Sequence, residues 1–158
     1  MKVHCPVLLS GKYFPTKCAY RGVQGGQNVS PAVGWSDVPT GTQSFVLTII
    51  DRHPIANNWI HWNVINIPPT VREITEQATG LHRGLPPGSM ELRNSYGENG
   101  YGGPNPPRGS GSHNYEITVQ ALDIPTLPVG PYATLSECAE AMRGHILSAG
   151  SVTGTFEQ

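Results

Sequence analysis

Two runs, Ser44-Phe45-Val46-Leu47-Thr48-Ile49-Ile50-Asp51 and Trp59-Ile60-His61-Trp62-Asn63-Val64-Ile65-Asn66-Ile67, decide the fold of this chain. Each is a nearly continuous apolar stretch of strand length. Such runs suit central strands covered on both faces, since a half-exposed strand would alternate with polar residues. Strict alternation along the second run puts Trp59, His61, Asn63, Ile65 and Ile67 on one side and Ile60, Trp62, Val64 and Asn66 on the other. Tyr115 to Leu122 alternates cleanly: Tyr115, Ile117, Val119 and Ala121 point inward, with His113 on the same register at the mouth of the strand. A last strand is expected from Ser151 to Phe156. One helix is expected to begin at Thr134-Leu135-Ser136-Glu137, a capping box in which Thr134 bonds forward and Glu137 reaches back. Its buried stripe would be Leu135, Ala139, Met142 and Ile146, with Gly150 just past its end. Between Pro68 and Ser112 little regular structure is expected, and the prolines and tyrosines there point to an ordered surface loop.

The composition narrows the function classes. With 158 residues the chain reads as a single domain, 1–158, able to bury a core without staples. Charged residues are 13% and the formal net charge is -1. The 10 Lys and Arg residues never cluster, which argues against nucleic acid and against a polybasic membrane contact. Cys5, Cys18 and Cys138 have no metal-ligand spacing, and the opening residues lack a signal-peptide pattern, so a cytoplasmic protein with reduced thiols is expected. A Cys5–Cys18 bridge stays open as the alternative.

Two segments carry the candidate chemistry. One runs through Asp51-Arg52-His53-Pro54 to His61; the other runs through Gly100-Tyr101-Gly102-Gly103-Pro104-Asn105-Pro106-Pro107 to His113-Asn114-Tyr115. If the first two strands are antiparallel neighbours, Asp51 meets His61, and a carboxylate on one ring nitrogen would aim the other at a ligand. His113 and Tyr115, about 7 Å apart along one strand face, would add two more donors. A pocket with two histidines, a tyrosine and apolar walls suits a compact anion. Asp51, His61 and His113 would also serve as a two-His-one-carboxylate metal site, but no local spacing supports it, so no metal and no cofactor are expected. His53 and Arg52, Arg93 and Arg108 read as surface residues. No Gly-x-Ser-x-Gly elbow occurs and no serine or cysteine stands out as partner of a histidine, so no nucleophilic catalysis is expected.

The order Ser30-Pro31, Trp35, Ser44-Phe45, Asp51, Pro54, His61-Trp62, Asn66-Ile67-Pro68, followed by Gly100-Tyr101-Gly102-Gly103-Pro104, Pro106-Pro107, Gly109, His113 and Tyr115, closely resembles the phosphatidylethanolamine-binding proteins (PEBP). The match spans nearly the whole chain and is closest to the bacterial and archaeal branch described as Raf-kinase-inhibitor-like. The resemblance implies a mainly β fold: a β-sandwich of mostly antiparallel strands with a long Gly/Pro-rich loop and one C-terminal helix. It also implies an anion pocket at Asp51, Trp59, His61, Tyr101, Gly103, His113 and Tyr115 that accepts phosphate, a phosphomonoester or a phospholipid head group. The resemblance further implies regulation of a kinase or other enzyme by protein contact, as in eukaryotic relatives, and a homodimer, as is common in bacterial ones. The rival reading is an interaction protein that inhibits a kinase or protease with the pocket as its switch, and a metal-dependent phosphoester hydrolase is the enzymatic alternative. The family's Asp-Pro-Asp-Ala-Pro run is Asp51-Arg52-His53-Pro54 here, so its second carboxylate is missing, and its usual Arg after the second histidine is Asn114.

Overall fold

The computed structural model describes residues 1–8, 12–80 and 84–158. Strands β1 (Lys2–His4), β2 (Val33–Ser36) and β5 (Glu73–Ile74) form one sheet in the order β1-β2-β5. The larger sheet contains β3 (Ser44–Asp51), β4 (Trp59–Ile67), β6 (Met90–Glu91), β7 (His113–Leu122) and β8 (Ile146–Phe156), in the order β6-β4-β3-β7-β8. All strand pairs within the two sheets are antiparallel. Among the described residues one α-helix, α1 (Leu135–Ala141), follows β7, and the architecture is mainly β as expected.

Strand β3 explains why its sequence is apolar throughout. All eight residues are buried because each face meets a different cluster. Phe45, Leu47 and Ile49 pack with Val33, Trp35 and Ile74 of the smaller sheet. Val46 packs with Leu122, Leu127, Cys138 and Met142 on the opposite, helix-covered face. Each such aliphatic side chain contributes roughly 1.5–3 kcal/mol by leaving water, so the strand anchors both layers.

Strand β4 departs from strict alternation twice. Ile49 lies opposite Trp62 while the next residue, Ile50, lies opposite Ile60, which leaves His61 as an extra residue. A second irregularity falls between the pairs Phe45–Ile67 and Leu47–Val64. There Asn66 adopts φ 58°, a left-handed conformation that asparagine tolerates better than most residues. These are β-bulges, each of which re-aims the side chains beyond it. As a result Trp62, Val64 and Ile67 share one cluster while Ile65 lies in the other. The period-two reading, which put Ile65 with Ile67, cannot anticipate inserted residues.

The capping box at Thr134 and Glu137 forms as expected: the Glu137 N–H donates to Thr134 Oγ1 at 3.2 Å and the Thr134 N–H donates to Glu137 Oε2 at 2.7 Å. The helix is shorter than its apolar periodicity suggested. It stops at Ala141, Gly144 turns the chain at φ 81°, and Ile146 already belongs to β8. Cys138 and Met142 are the buried residues of this segment, Ala139 is exposed, and Gly150 lies within β8. Pairing with nearly all of β7 outweighs the last helical turn. Cys5, Cys18 and Cys138 are all free and buried, so the Cys5–Cys18 bridge is not formed. Among the described residues no helix is long and apolar enough to cross a membrane.

Asn66 Oδ1 accepts the Leu127 N–H at 2.8 Å, tying the bulge to the segment beyond β7. Asn66→Gly keeps the backbone conformation and loses only that bond, an expected cost of about 1 kcal/mol in urea unfolding. Asn66→Ala should cost about 2–3 kcal/mol, because the left-handed backbone is then strained as well. Equal losses in the two variants would show that the conformation at Asn66 carries no energetic weight.

Candidate functional site

The ends of β3, β4 and β7 and the 105–107 segment enclose a cavity of about 370 Å³. Asp51, His61, His113 and Tyr115 supply its polar groups; Trp59, Tyr96, Pro106 and Pro107 form walls, with Ile55 and Ala56 at the connection between β3 and β4. The structure therefore brings together five of the expected site residues: Asp51, Trp59, His61, His113 and Tyr115. Tyr101 and Gly103 are not among the lining residues. Tyr101 is 3% exposed, its ring lies 5.7 Å from that of Trp62, and its hydroxyl donates to the Cys18 carbonyl at 2.9 Å. Gly103 instead shapes the wall from behind. A Cβ there would sit 2.0 Å from the Cys18 carbonyl oxygen, so only glycine allows the two segments to approach this closely. Its carbonyl accepts the Tyr96 hydroxyl at 2.9 Å, which fixes a wall residue that the motifs did not single out.

The expected Asp51–His61 pair is not formed. Asp51 Oδ2 instead accepts from His113 Nδ1 at 2.6 Å, while Asp51 Oδ1 accepts the His53 backbone N–H at 2.8 Å. The reason is register. Asp51 lies opposite Trp59 on β4 and opposite Tyr115 on β7, and the bulge moves His61 out of simple pairing with β3. His61 Nδ1 donates to the Gly102 carbonyl at 2.6 Å. Because a carbonyl only accepts, Nδ1 carries the proton, and in the neutral ring Nε2 presents a lone pair. Burial pushes the His61 pKa down to about 4, partly opposed by the Gly102 carbonyl, Asp51 and the Gly103 carbonyl. At neutral pH His61 therefore offers an acceptor rather than the donor its type suggested.

His113 is held on both nitrogens, because Ser110 Oγ lies 2.9 Å from Nε2. That serine was missed in the sequence. Its position three residues before His113, in a Gly/Ser run entering β7, was the available signal. His53, read as a surface residue, is half-buried, and its ring stacks on His113 with centroids 3.9 Å apart. Tyr115 is fully buried, and its hydroxyl has no partner among the described residues. Burial, with the Asp51 charge nearby, pushes its pKa upward, so it remains a neutral donor. Asp51, His61 and His113 do not offer three free ligand atoms to one point, since Asp51 Oδ2 is bonded to His113 Nδ1 and His61 Nδ1 to Gly102.

The chain matches the family model described as phosphatidylethanolamine-binding protein over residues 6–157. It is 34% identical over 158 residues to the UPF0098 protein YbhB of Escherichia coli, covering 99% of both chains. Among solved structures, E. coli YbcL, described as a new member of the mammalian PEBP family, superposes with a TM-score of 0.90 at 31% identity, covering 99% of this chain and 98% of that one. The PEBP homologue CT736 of Chlamydia trachomatis superposes with a TM-score of 0.82 at 30% identity, covering 99% and 97%.

The depressed pKa of His61 has a stability consequence with a definite sign. Between pH ~6.5 and about 4 the unfolded chain takes up a proton that folded His61 refuses, so this contribution to stability is present above pH ~6.5 and is lost as pH falls towards 4. The loss should approach about 3 kcal/mol. In denaturant titrations at several pH values, the stability gap between wild type and His61→Gln should narrow by about that amount across this window. A gap that stays constant would mean that His61 titrates normally.

Proposed function

This chain belongs to the phosphatidylethanolamine-binding protein family, and on that premise we propose that its cavity binds a small phosphate-bearing anion in singly protonated form. The observation that carries the reading is the presence, in one cavity, of a buried donor without a partner among the described residues, the Tyr115 hydroxyl, and a neutral His61 whose Nδ1 is already committed to Gly102. One phosphate oxygen accepts from Tyr115. A second, still protonated, donates to His61 Nε2, which is the complementary arrangement for a monoanion. The Asp51–His113 pair stands behind this contact as a fixed wall, and Trp59 and Tyr96 enclose the organic substituent.

The alternative protonation pattern, a phosphate dianion on a protonated His61, contains the same number of protons. Either way the complex holds one more proton than the free partners above the second phosphate pKa of about 6. Affinity should therefore fall as pH rises through that value. Calorimetry of O-phosphoethanolamine binding at pH 7.5, in buffers of different ionisation heat, should report uptake of about one proton. Affinity that stays flat from pH 5 to 8, with no proton uptake, would refute the arrangement. Tyr115→Phe should bind about tenfold more weakly while its stability stays within about 1 kcal/mol of wild type, since the lost hydroxyl bonds no protein group among the described residues.

A further inference from the structure

Ser110, His113 and Asp51 form an unbroken hydrogen-bonded line. Ser110 Oγ lies 2.9 Å from His113 Nε2, and His113 Nδ1 lies 2.6 Å from Asp51 Oδ2. His113 and Asp51 are 1% and 3% exposed, whereas Ser110 is half-buried on the turn that leads into β7. We propose that this line is a nucleophilic triad and that the protein hydrolyses small carboxylic esters, with Ser110 as nucleophile, His113 as general base and Asp51 as a positioning residue. The inference goes beyond anion binding and does not depend on it.

The connectivity meets the chemical requirement. A carboxylate on Nδ1 fixes the tautomer in which Nε2 is the basic nitrogen, and that nitrogen is the one facing the serine. The Ser110 proton has two acceptors in reach, His113 Nε2 and the Pro107 carbonyl at 2.6 Å. With His113 neutral, the proton turns to Nε2 and Oγ is ready to be deprotonated. With His113 charged, Nε2 donates to Oγ and the serine proton turns to Pro107. Asp51 and His113 line the cavity of about 370 Å³ together with Pro107, whose carbonyl Ser110 bonds; Ser110 itself is not among the lining residues, so an ester held there presents its carbonyl to Oγ across the Pro107–His113 edge. The proline and aromatic walls suit a short acyl or aryl group.

In the first step the Ser110 Oγ–carbonyl bond forms, the serine proton passes to His113, and the alcohol leaves with that proton as its bond to the acyl carbon breaks. In the second step water attacks the acyl-serine and gives its proton to His113. The acid is released, and Ser110 regains the proton.

Native protein should be incubated with diisopropyl fluorophosphate and followed by intact mass and peptide mapping; Oγ–P bond formation expels fluoride. One adduct at Ser110 is expected, absent from Ser110→Ala, and p-nitrophenyl acetate hydrolysis should fall about 100-fold or more in that variant. Ser110 is half-buried on a turn, so its replacement by alanine leaves the strands intact. Asp51→Asn should lower kcat by about 100-fold or more with KM unchanged, a split that general loosening would not produce. No adduct at Ser110 in the native protein, or labelling there that proceeds equally fast in urea-unfolded chain, would overturn the proposal.

Discussion

A single buried carboxylate organises one end of this molecule. Asp51 is 3% exposed, and a charge so far from water is costly unless its lone pairs are matched. The matching groups come from two places: His113 Nδ1 on β7 and the His53 N–H just beyond β3. Satisfying the carboxylate therefore fixes how far β3 and β7 extend together and where the chain leaves β3. The same turn lays the His53 ring on His113, so the imidazole is held from its edges and from one face. The cavity exists because these groups must sit where they satisfy each other.

The Gly/Pro-rich walls need a different kind of support, since they lack ladder hydrogen bonds. Side chains provide it. Asn28 donates to the Tyr101 carbonyl at 2.9 Å and accepts the Gly103 N–H at 2.7 Å, clamping the 101–103 backbone against the N-terminal segment. Asn94 donates to the Gly100 carbonyl and accepts the N–H groups of Tyr96 and Glu98, closing the turn that carries the Tyr96 wall. Glu91 accepts from the Trp62 indole, the Thr79 hydroxyl and the Gly80 N–H, joining β6, β4 and the 79–80 turn. Buried backbone polar groups must be paired. Here asparagine and glutamate side chains do what a neighbouring strand does elsewhere.

What could be read from the sequence follows from how local the governing interactions are. The two-sided burial of β3 was legible because apolar residues fill both registers, and the capping box at Thr134 and Glu137 was legible because its partners are three residues apart. The fate of His61 was not. A bulge is decided by the partner strand, so alternation gave the wrong neighbour set and with it the wrong partner for Asp51. The expected helical stripe reached Ile146 because periodicity cannot see that β7 offers a partner along nearly its full length. Ser110 was overlooked for a similar reason, since its pairing with His113 depends on how the turn before β7 closes.

The two pocket histidines show how environment, rather than residue type, assigns a chemical role. His113 has a carboxylate on Nδ1, which favours a proton on that nitrogen and makes the ring a fixed dipole. His61 has only a carbonyl on Nδ1 and is 2% exposed, so burial keeps it neutral and turns Nε2 into an acceptor. The departure at Asp51-Arg52-His53-Pro54 acts on the same balance. Arg52 points away, bonding Asn58 and Glu116 at 2.8 and 3.1 Å on the exposed side, so it does not replace charge inside the cavity. His53 instead places an imidazole over His113, so the residue that follows Arg52 adds an aromatic face behind the pocket histidine rather than a carboxylate.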